Sequence, residues 1–375
     1  MPRYYPIRRI KDDATRRRVI DRLLALRKQL KSDITDQCGP GSFLLATWNI
    51  RDFDSNKFGH GKRLPEAFHY IAEIISAFDL VAIQEVNRDL TALEKVMRLL
   101  GDGWDYLVTD TTEGASGNSE RMAFVYRTAN ITFRNMAGEI VLPKGQKIVS
   151  SKKVKDDADP TKKTIEEDEL QFARTPFLAA FQAGWFKFNL CTVHIYFGSS
   201  SGAKLKRRIE EIGRIAKFFE KRQKKEKEDY ILLGDFNIVS PEHETMEALT
   251  GADFKIPENL KKEKTNLKGD KHYDQIALNV EDRRLEIGAS GVFELNDSVF
   301  RNNDFAAYFD AMPAKKRDFD DDGVEHTPAQ QKAYYRNKWR TFQMSDHLPM
   351  WVELKVDFTD DYLKSLRPGR TVLAD

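Results

Sequence analysis

Short apolar runs bounded by polar turns, with helical patterns between several of them, set the strongest limit on how this chain folds. Phe43–Trp48, Leu80–Ile83, Met122–Tyr126, Phe177–Phe181, Phe186–Ile195, Tyr230–Leu233, Ile276–Leu278 and Met350–Val356 read as strands. Leu64–Phe78, Leu90–Leu100, Lys204–Lys225 and Met246–Leu249 fit helices, so α and β elements are mixed along the chain. Gly184, between Phe177–Ala183 and Trp185–Ile195, marks an antiparallel hairpin and argues against a purely parallel sheet.

The charge is uneven. The 375 residues carry a net +2, but residues 1–31 hold eleven Lys or Arg against Asp12, Asp13 and Asp21, a net +8, leaving −6 for the rest. Such a body does not hold nucleic acid by charge alone. With 41% hydrophobic and 32% charged residues, a disordered or fibrous chain is excluded. In the basic arm, Ile20, Leu23, Leu24 and Leu30 recur at helical spacing over Asp12–Lys31, ahead of a Gly39-Pro40-Gly41 break. This helix either packs on the outside of the body or forms a polyanion-binding arm. Cys38 and Cys191 alone cannot make a disulfide framework, which points to a reducing compartment, and Cys191 reads as a small buried strand residue. No leader-like segment and no run of eighteen apolar residues is present, so a cytoplasmic chain without a membrane span is expected.

Two charged stretches, 143–171 and about 297–340, lack periodicity and read as surface loops or a flap. No internal repeat is visible. Asp318–Gly323 opens like a calcium-binding loop, but the twelfth position is Ala329 and cannot supply the bidentate Glu, so a solvated acidic loop is expected.

The chemistry-bearing residues lie where strands hand over to loops: Asn49, Glu85, His194, Asp235 with Asn237, Asp274, and Asp346 with His347. Taken singly, each has an ordinary reading as a turn, a cap or a core residue. Together they supply what metal-assisted phosphoester cleavage needs. Glu85, Asp346 and the amide of Asn49 offer the hard oxygens that Mg²⁺ prefers. His194 and His347 can move protons to or from water and leaving oxygen, and Asp274 and Glu120 are available to fix their tautomers. Asp235 and Asn237, two apart, point the same way on an extended segment. His60, His69, His243, His272 and His326 fall outside this set, and Asp52 and Asp54 read as turn residues.

The ordered set Trp48-Asn49-Ile50, Gln84-Glu85, Ser119-Glu120-Arg121, Arg174, His194, Gly234-Asp235-Phe236-Asn237, Tyr273-Asp274-Gln275-Ile276 and Ser345-Asp346-His347 resembles the endonuclease/exonuclease/phosphatase superfamily. It is most similar to the pancreatic deoxyribonuclease branch. The resemblance runs from about Phe43 to Val356 and implies an α+β fold, a four-layer sandwich of two packed mixed β-sheets flanked by helices. A domain at 41–358 would then follow a basic helical extension at 1–40 and precede a tail at 359–375. Carried over, the family's pattern makes Glu85 the main metal ligand, with Asn49 and Asp346 close to a Mg²⁺ or Mn²⁺ ion. It pairs His194 with Glu120 and His347 with Asp274, has Asp235 orient or deprotonate water, and gives phosphate to Asn237 and Arg174. The abasic-site repair branch, where a Tyr stands in place of His194, is disfavoured. The paired cysteines of the secreted deoxyribonucleases are missing.

The expected function is a metal-dependent phosphodiesterase, most simply a nuclease on nucleic acid, with DNA favoured over RNA. A phosphatase or phosphodiesterase for inositol phosphates, phospholipid head groups or nucleotides uses much the same core. A silent binding module of the same fold should show damaged ligands, and none is visible.

Overall fold

The structure is a computed structural model that describes residues 1–111, 119–155 and 163–367. Along the chain run α1 (Asp13–Asp33), β1 (Ser42–Phe53), α2 (Pro65–Ile75), β2 (Leu80–Val86), α3 (Thr91–Leu100), β3 (Trp104–Val108), β4 (Arg121–Arg127) and β5 (Ile131–Glu139). There follow β6 (Ile148–Lys155), β7 (Lys163–Leu170), β8 (Phe177–Ala183), β9 (Phe186–His194), α4 (Gly202–Glu226), β10 (Tyr230–Asp235), α5 (Glu244–Thr250), β11 (Asp274–Asn279), β12 (Glu286–Val292) and, after several short helical turns, β13 (Met350–Lys355). No described helix is long and apolar enough to cross a membrane.

The strands form two mixed sheets ordered β12-β13-β1-β2-β4-β3 and β11-β10-β9-β8-β5. Their inner faces meet through aromatic residues, with Phe43 stacked on Phe188 at 5.5 Å and Phe124 on Phe177 at 5.0 Å. Ile212, Ile215, Ala216 and Phe219 of α4 join this same core from outside the second sheet. A second core lies on the outer face of the first sheet, beneath α1, α2 and α3. Helix, sheet, sheet and helix therefore make the expected sandwich.

The N-terminal helix is built into this second core. Val19, Leu23, Leu26 and Leu30 are buried, whereas Ile20 and Leu24 are exposed, so the apolar stripe differs from the sequence reading by which positions carry it. Arg18, Arg22 and Arg27 pair with Glu66, Asp304 and Glu73 of the body at 2.9, 2.9 and 2.8 Å. Three of the arm's eleven basic residues are thus spent on the body. Leu26→Ala should cost about 2–5 kcal/mol of unfolding free energy, as buried Leu truncations do, measured by urea titration.

The two charged stretches are more ordered than loops. Residues 148–155 and 163–170 form an antiparallel ribbon outside both sheets, in register from Ile148–Leu170 to Lys155–Lys163, and β6 lies against α4. Its connection, 156–162, lies outside the described residues, as does the tail from 368 onward. The ribbon escapes sequence reading because IVSSKKVK and KTIEEDEL are rich in charge and show no continuous apolar run or alternation. The second stretch folds into helical turns at 305–308, 314–318, 328–334, 335–339 and 340–343, with Tyr308, Tyr335 and Trp339 buried against the second core. The acidic loop at 318–323 spends Asp320 on its own turn, accepting from the Asp322 and Val324 amides at 3.0 and 2.8 Å.

Candidate active site

Strand register assembles the site. β9 and β10 are parallel with His194 beside Asp235, and β10 and β11 are antiparallel with Asp235 beside Asp274. Those three side chains therefore stand on adjacent strands, at about the 4.8 Å strand spacing. In the other sheet, β1 and β2 are parallel with Asn49 beside Gln84, which puts Glu85 next to Asn49. β13 pairs antiparallel with β1, from Ser42–Lys355 to Thr47–Met350, and so delivers Asp346 and His347 to the end of β1. Gly234 has φ +133°, and a Cβ there would lie 2.1 Å from the Val193 carbonyl oxygen, so only glycine fits before Asp235.

Asp235 is the centre. Its Oδ2 accepts from Asn49 Nδ2 at 3.1 Å and lies 3.5 Å from His194 Nε2 and 3.8 Å from His347 Nε2. Its Oδ1 accepts from the Asn237 amide at 2.9 Å. Burial alone would raise its pKa, but the two imidazoles and these hydrogen bonds outweigh it and hold the carboxyl below its usual range.

Each imidazole has a carboxylate behind it. His347 Nδ1 is 2.7 Å from Asp274 Oδ2, and His194 Nδ1 is 3.3 Å from Glu120 Oε2. Burial opposes the charged form of His347, yet the charges of Asp274 and Asp235 raise its pKa well above that of free histidine. Burial also opposes ionisation of Glu120, but His194 and Arg174 together lower its pKa. Arg174 Nε donates to Glu120 Oε2 at 2.6 Å, so this guanidinium braces the dyad.

The oxygen-rich side is formed by Asn49 and Glu85. Asn49 donates from Nδ2 to Glu85 Oε1 at 3.0 Å, and Glu85 Oε2 accepts from the Asp52 amide at 2.9 Å. The Asn49 Oδ1 is buried without a hydrogen-bond partner. An orphaned amide oxygen beside a carboxylate fits a hard divalent cation. Asp346 is held by Arg51 at 3.0 Å, a contact that sequence reading missed. A second group with ligating geometry, Asp235, Asp274 and His347, has its ligand atoms within 4.8 Å of one another. There, His347 Nδ1 is already committed to Asp274, as in a proton-handling dyad.

Asn237 has φ +54° and donates from Nδ2 to the Ile195 carbonyl at 2.9 Å. Asp52 (φ +44°) accepts from Ser55 Oγ at 2.6 Å, as a turn residue does. His243 accepts from the Thr245 amide at 3.1 Å, while His272 and His326 meet backbone carbonyls at 2.7 and 2.9 Å. These three are structural.

Two buried groups to which sequence reading gave no role hold the site together. Arg63 donates to the carbonyls of Arg51, Asp52, Gln343 and Met344 at 2.6, 3.0, 3.1 and 3.2 Å, tying the loop after Asn49 to the segment before Asp346. Burial pushes its guanidinium down to about 10. Gln84 donates to Thr47 Oγ1 at 3.1 Å and to Thr192 Oγ1 at 2.8 Å, joining the two sheets just below the catalytic groups.

A hydrolase of phosphoric esters is the class that this sandwich and these paired dyads describe. The chain belongs to the Endonuclease/Exonuclease/phosphatase family, whose model matches residues 46–255. Its members are metal-dependent phosphoric ester hydrolases, and so is this protein. Among solved structures it is similar to an endonuclease/exonuclease/phosphatase family protein from Bacteroides thetaiotaomicron, with 18% identity, a TM-score of 0.51, and coverage of 84% of this chain and 98% of that one. It is also similar to a functionally unknown conserved protein from Enterococcus faecalis, with 16% identity, a TM-score of 0.50, and coverage of 83% and 98%. At these identities the likeness describes the fold. No curated protein matches the sequence.

Proposed function

We propose that this phosphoesterase is a nuclease that cleaves phosphodiester bonds, DNA in preference to RNA, by in-line attack of water. The observation that carries the reading is the convergence of two imidazoles, each backed by its own carboxylate, on one oxygen of Asp235. A phosphodiester expels an alkoxide, so it gains from one group that takes a proton from water and another that gives one to the leaving oxygen. His347, with its raised pKa, carries the proton for the leaving oxygen. His194, oriented by Glu120, assists the attacking water, which the ionised Asp235 orients. Arg174 turns its Nε edge to Glu120 and offers the rest of its fork to a phosphoryl oxygen, with Asn237 alongside. Asn49, Glu85 and Asp346 are the residues that would hold Mg²⁺ or Mn²⁺. When bound, the ion supplies positive charge to the phosphoryl oxygens as negative charge builds up.

Incubation with Mg²⁺ or Mn²⁺ and plasmid DNA, single-stranded DNA, RNA, bis-p-nitrophenyl phosphate, p-nitrophenyl phosphate and sphingomyelin tests this, with EDTA as control. Cleavage of DNA that EDTA abolishes is expected. Turnover of the monoester or the lipid without that of DNA overturns the reading.

A pH profile probes the proton donor. Because Asp274 and Asp235 raise the His347 pKa, the protonated donor is present below that pKa and lost as pH rises through it. Asp274→Asn removes one of those charges, so the alkaline limb of kcat should move to lower pH. An unmoved limb assigns the proton to another group.

A further inference from the structure

Two exposed aromatic rings flank the dyads, and the chemistry above uses neither. Phe58 is 49% exposed and Phe197 47% exposed. Phe58 lies in the turn after β1, 5.3 Å from Phe342, with Lys57 Nζ 5.1 Å from its ring centre. The same ammonium is 4.0 Å from Glu120, and so beside the His194 dyad. Phe342 in turn stacks on His60 at 4.3 Å and carries the Arg51 guanidinium at 4.0 Å, the group that holds Asp346. Phe58 is thereby connected to one dyad and to the metal-side carboxylate.

Phe197 has links to both dyads. It lies three residues past His194, and its carbonyl accepts from Arg208 Nε at 3.0 Å, while the Arg208 guanidinium lies 4.6 Å from its ring. Arg208 also donates to the Asn237 carbonyl at 3.0 Å, which fixes this loop to the catalytic turn. Tyr273 meets the ring edge-on at 6.5 Å and is itself stacked on His347 at 5.5 Å. Each phenyl ring is therefore braced by a cation and a second aromatic ring, while about half of its surface stays open.

Resting on the nuclease reading of the same site, we infer that Phe58 and Phe197 stack unpaired bases on the two sides of the scissile phosphate, which makes the substrate class single-stranded nucleic acid. A ring can stack only on a base whose face is free, and duplex bases hide their faces in the helix. Stacking also needs no net charge. That matters for a body whose residues beyond the N-terminal arm sum to −6, and whose arm directs Arg18, Arg22 and Arg27 into the fold. Lys57, between ring and dyad, suits the backbone phosphate that accompanies a stacked base.

The test is equilibrium binding in EDTA, where turnover is absent, using a labelled single-stranded DNA, the same strand as a duplex, and a base-free strand of tetrahydrofuran phosphodiesters of equal length. Base–aromatic stacking is worth about five- to 150-fold per base. The base-bearing single strand should therefore bind at least about tenfold more tightly than the base-free one, and more tightly than the duplex. Phe58→Leu and Phe197→Leu keep apolar packing but remove the ring, and each should shrink that preference severalfold, with Tyr at either position restoring it. Equal binding of base-bearing and base-free strands overturns the inference, as does tighter duplex binding or a preference that both Leu variants retain. The nuclease reading fails on a different result, the absence of metal-dependent cleavage, so the two outcomes are separable.

Discussion

His347→Ala should lower kcat by about 10²- to 10⁴-fold, the usual worth of general acid–base assistance, while leaving the fold intact. The ring's Nδ1 meets Asp274 and its face meets Tyr273, so truncation removes one polar and one stacking contact while leaving the strands on either side intact. Circular dichroism and urea titration would establish folding, and single-turnover kinetics would report the chemical step. His194→Ala should lose a similar factor. Because the two imidazoles serve opposite ends of one transition state, the double variant should lose far less than the product of the single losses. A His347→Ala protein with full metal-dependent activity sinks the assignment.

Asp235→Asn is the second large effect, again about 10²- to 10⁴-fold in kcat, because it removes the carboxylate that both imidazoles face. The substitution preserves size, and the amide oxygen can still accept from the Asn237 amide. What changes is charge. His347 loses one of the anions that raise its pKa, so the alkaline limb should fall to lower pH together with the rate. The stability sign is equally definite. A carboxyl whose pKa is depressed on folding stabilises the native state above its unfolded pKa and loses that contribution as pH falls through the folded value. Wild type should therefore lose stability on acidification more steeply than Asp235→Asn, as thermal melts across acidic pH will read.

The candidate site residues were legible because they close the sheet ends. An apolar run followed at once by a polar pair, as in Ile83-Gln84-Glu85 or Leu233-Gly234-Asp235, locates a strand and its chemistry together. The sandwich itself came through the family resemblance of those pairs taken in order. What stayed hidden depends on distant partners. Nothing in the local sequence marks Arg63, and only the folded chain brings Gln343 and Met344 to it. Arg51 next to Asp346 is likewise a product of β1 pairing with β13. Phe58, Lys57 and Phe197 sit in turns, where no periodicity marks them. β3, β5 and β12 were missed as strands because each buries too little of its length to show an uninterrupted apolar run. The helix at 13–33 was placed well, yet its packing depends on Glu66, Glu73 and Asp304, which lie far from it in sequence.

The order in which the ribosome makes the strands has its own consequence. β1 lies between β2 and β13 in the finished sheet, but β13 is the last of the described strands in chain order, after every strand of the second sheet. Until it arrives, one edge of β1 is unpaired and Asp346 and His347 are missing from the mouth of the site. The nascent chain therefore carries an open, sticky strand edge for most of its synthesis, a state in which chaperone capture competes with aggregation. It also lacks Asp346 and His347, so the candidate site is complete only when β13 closes the sheet.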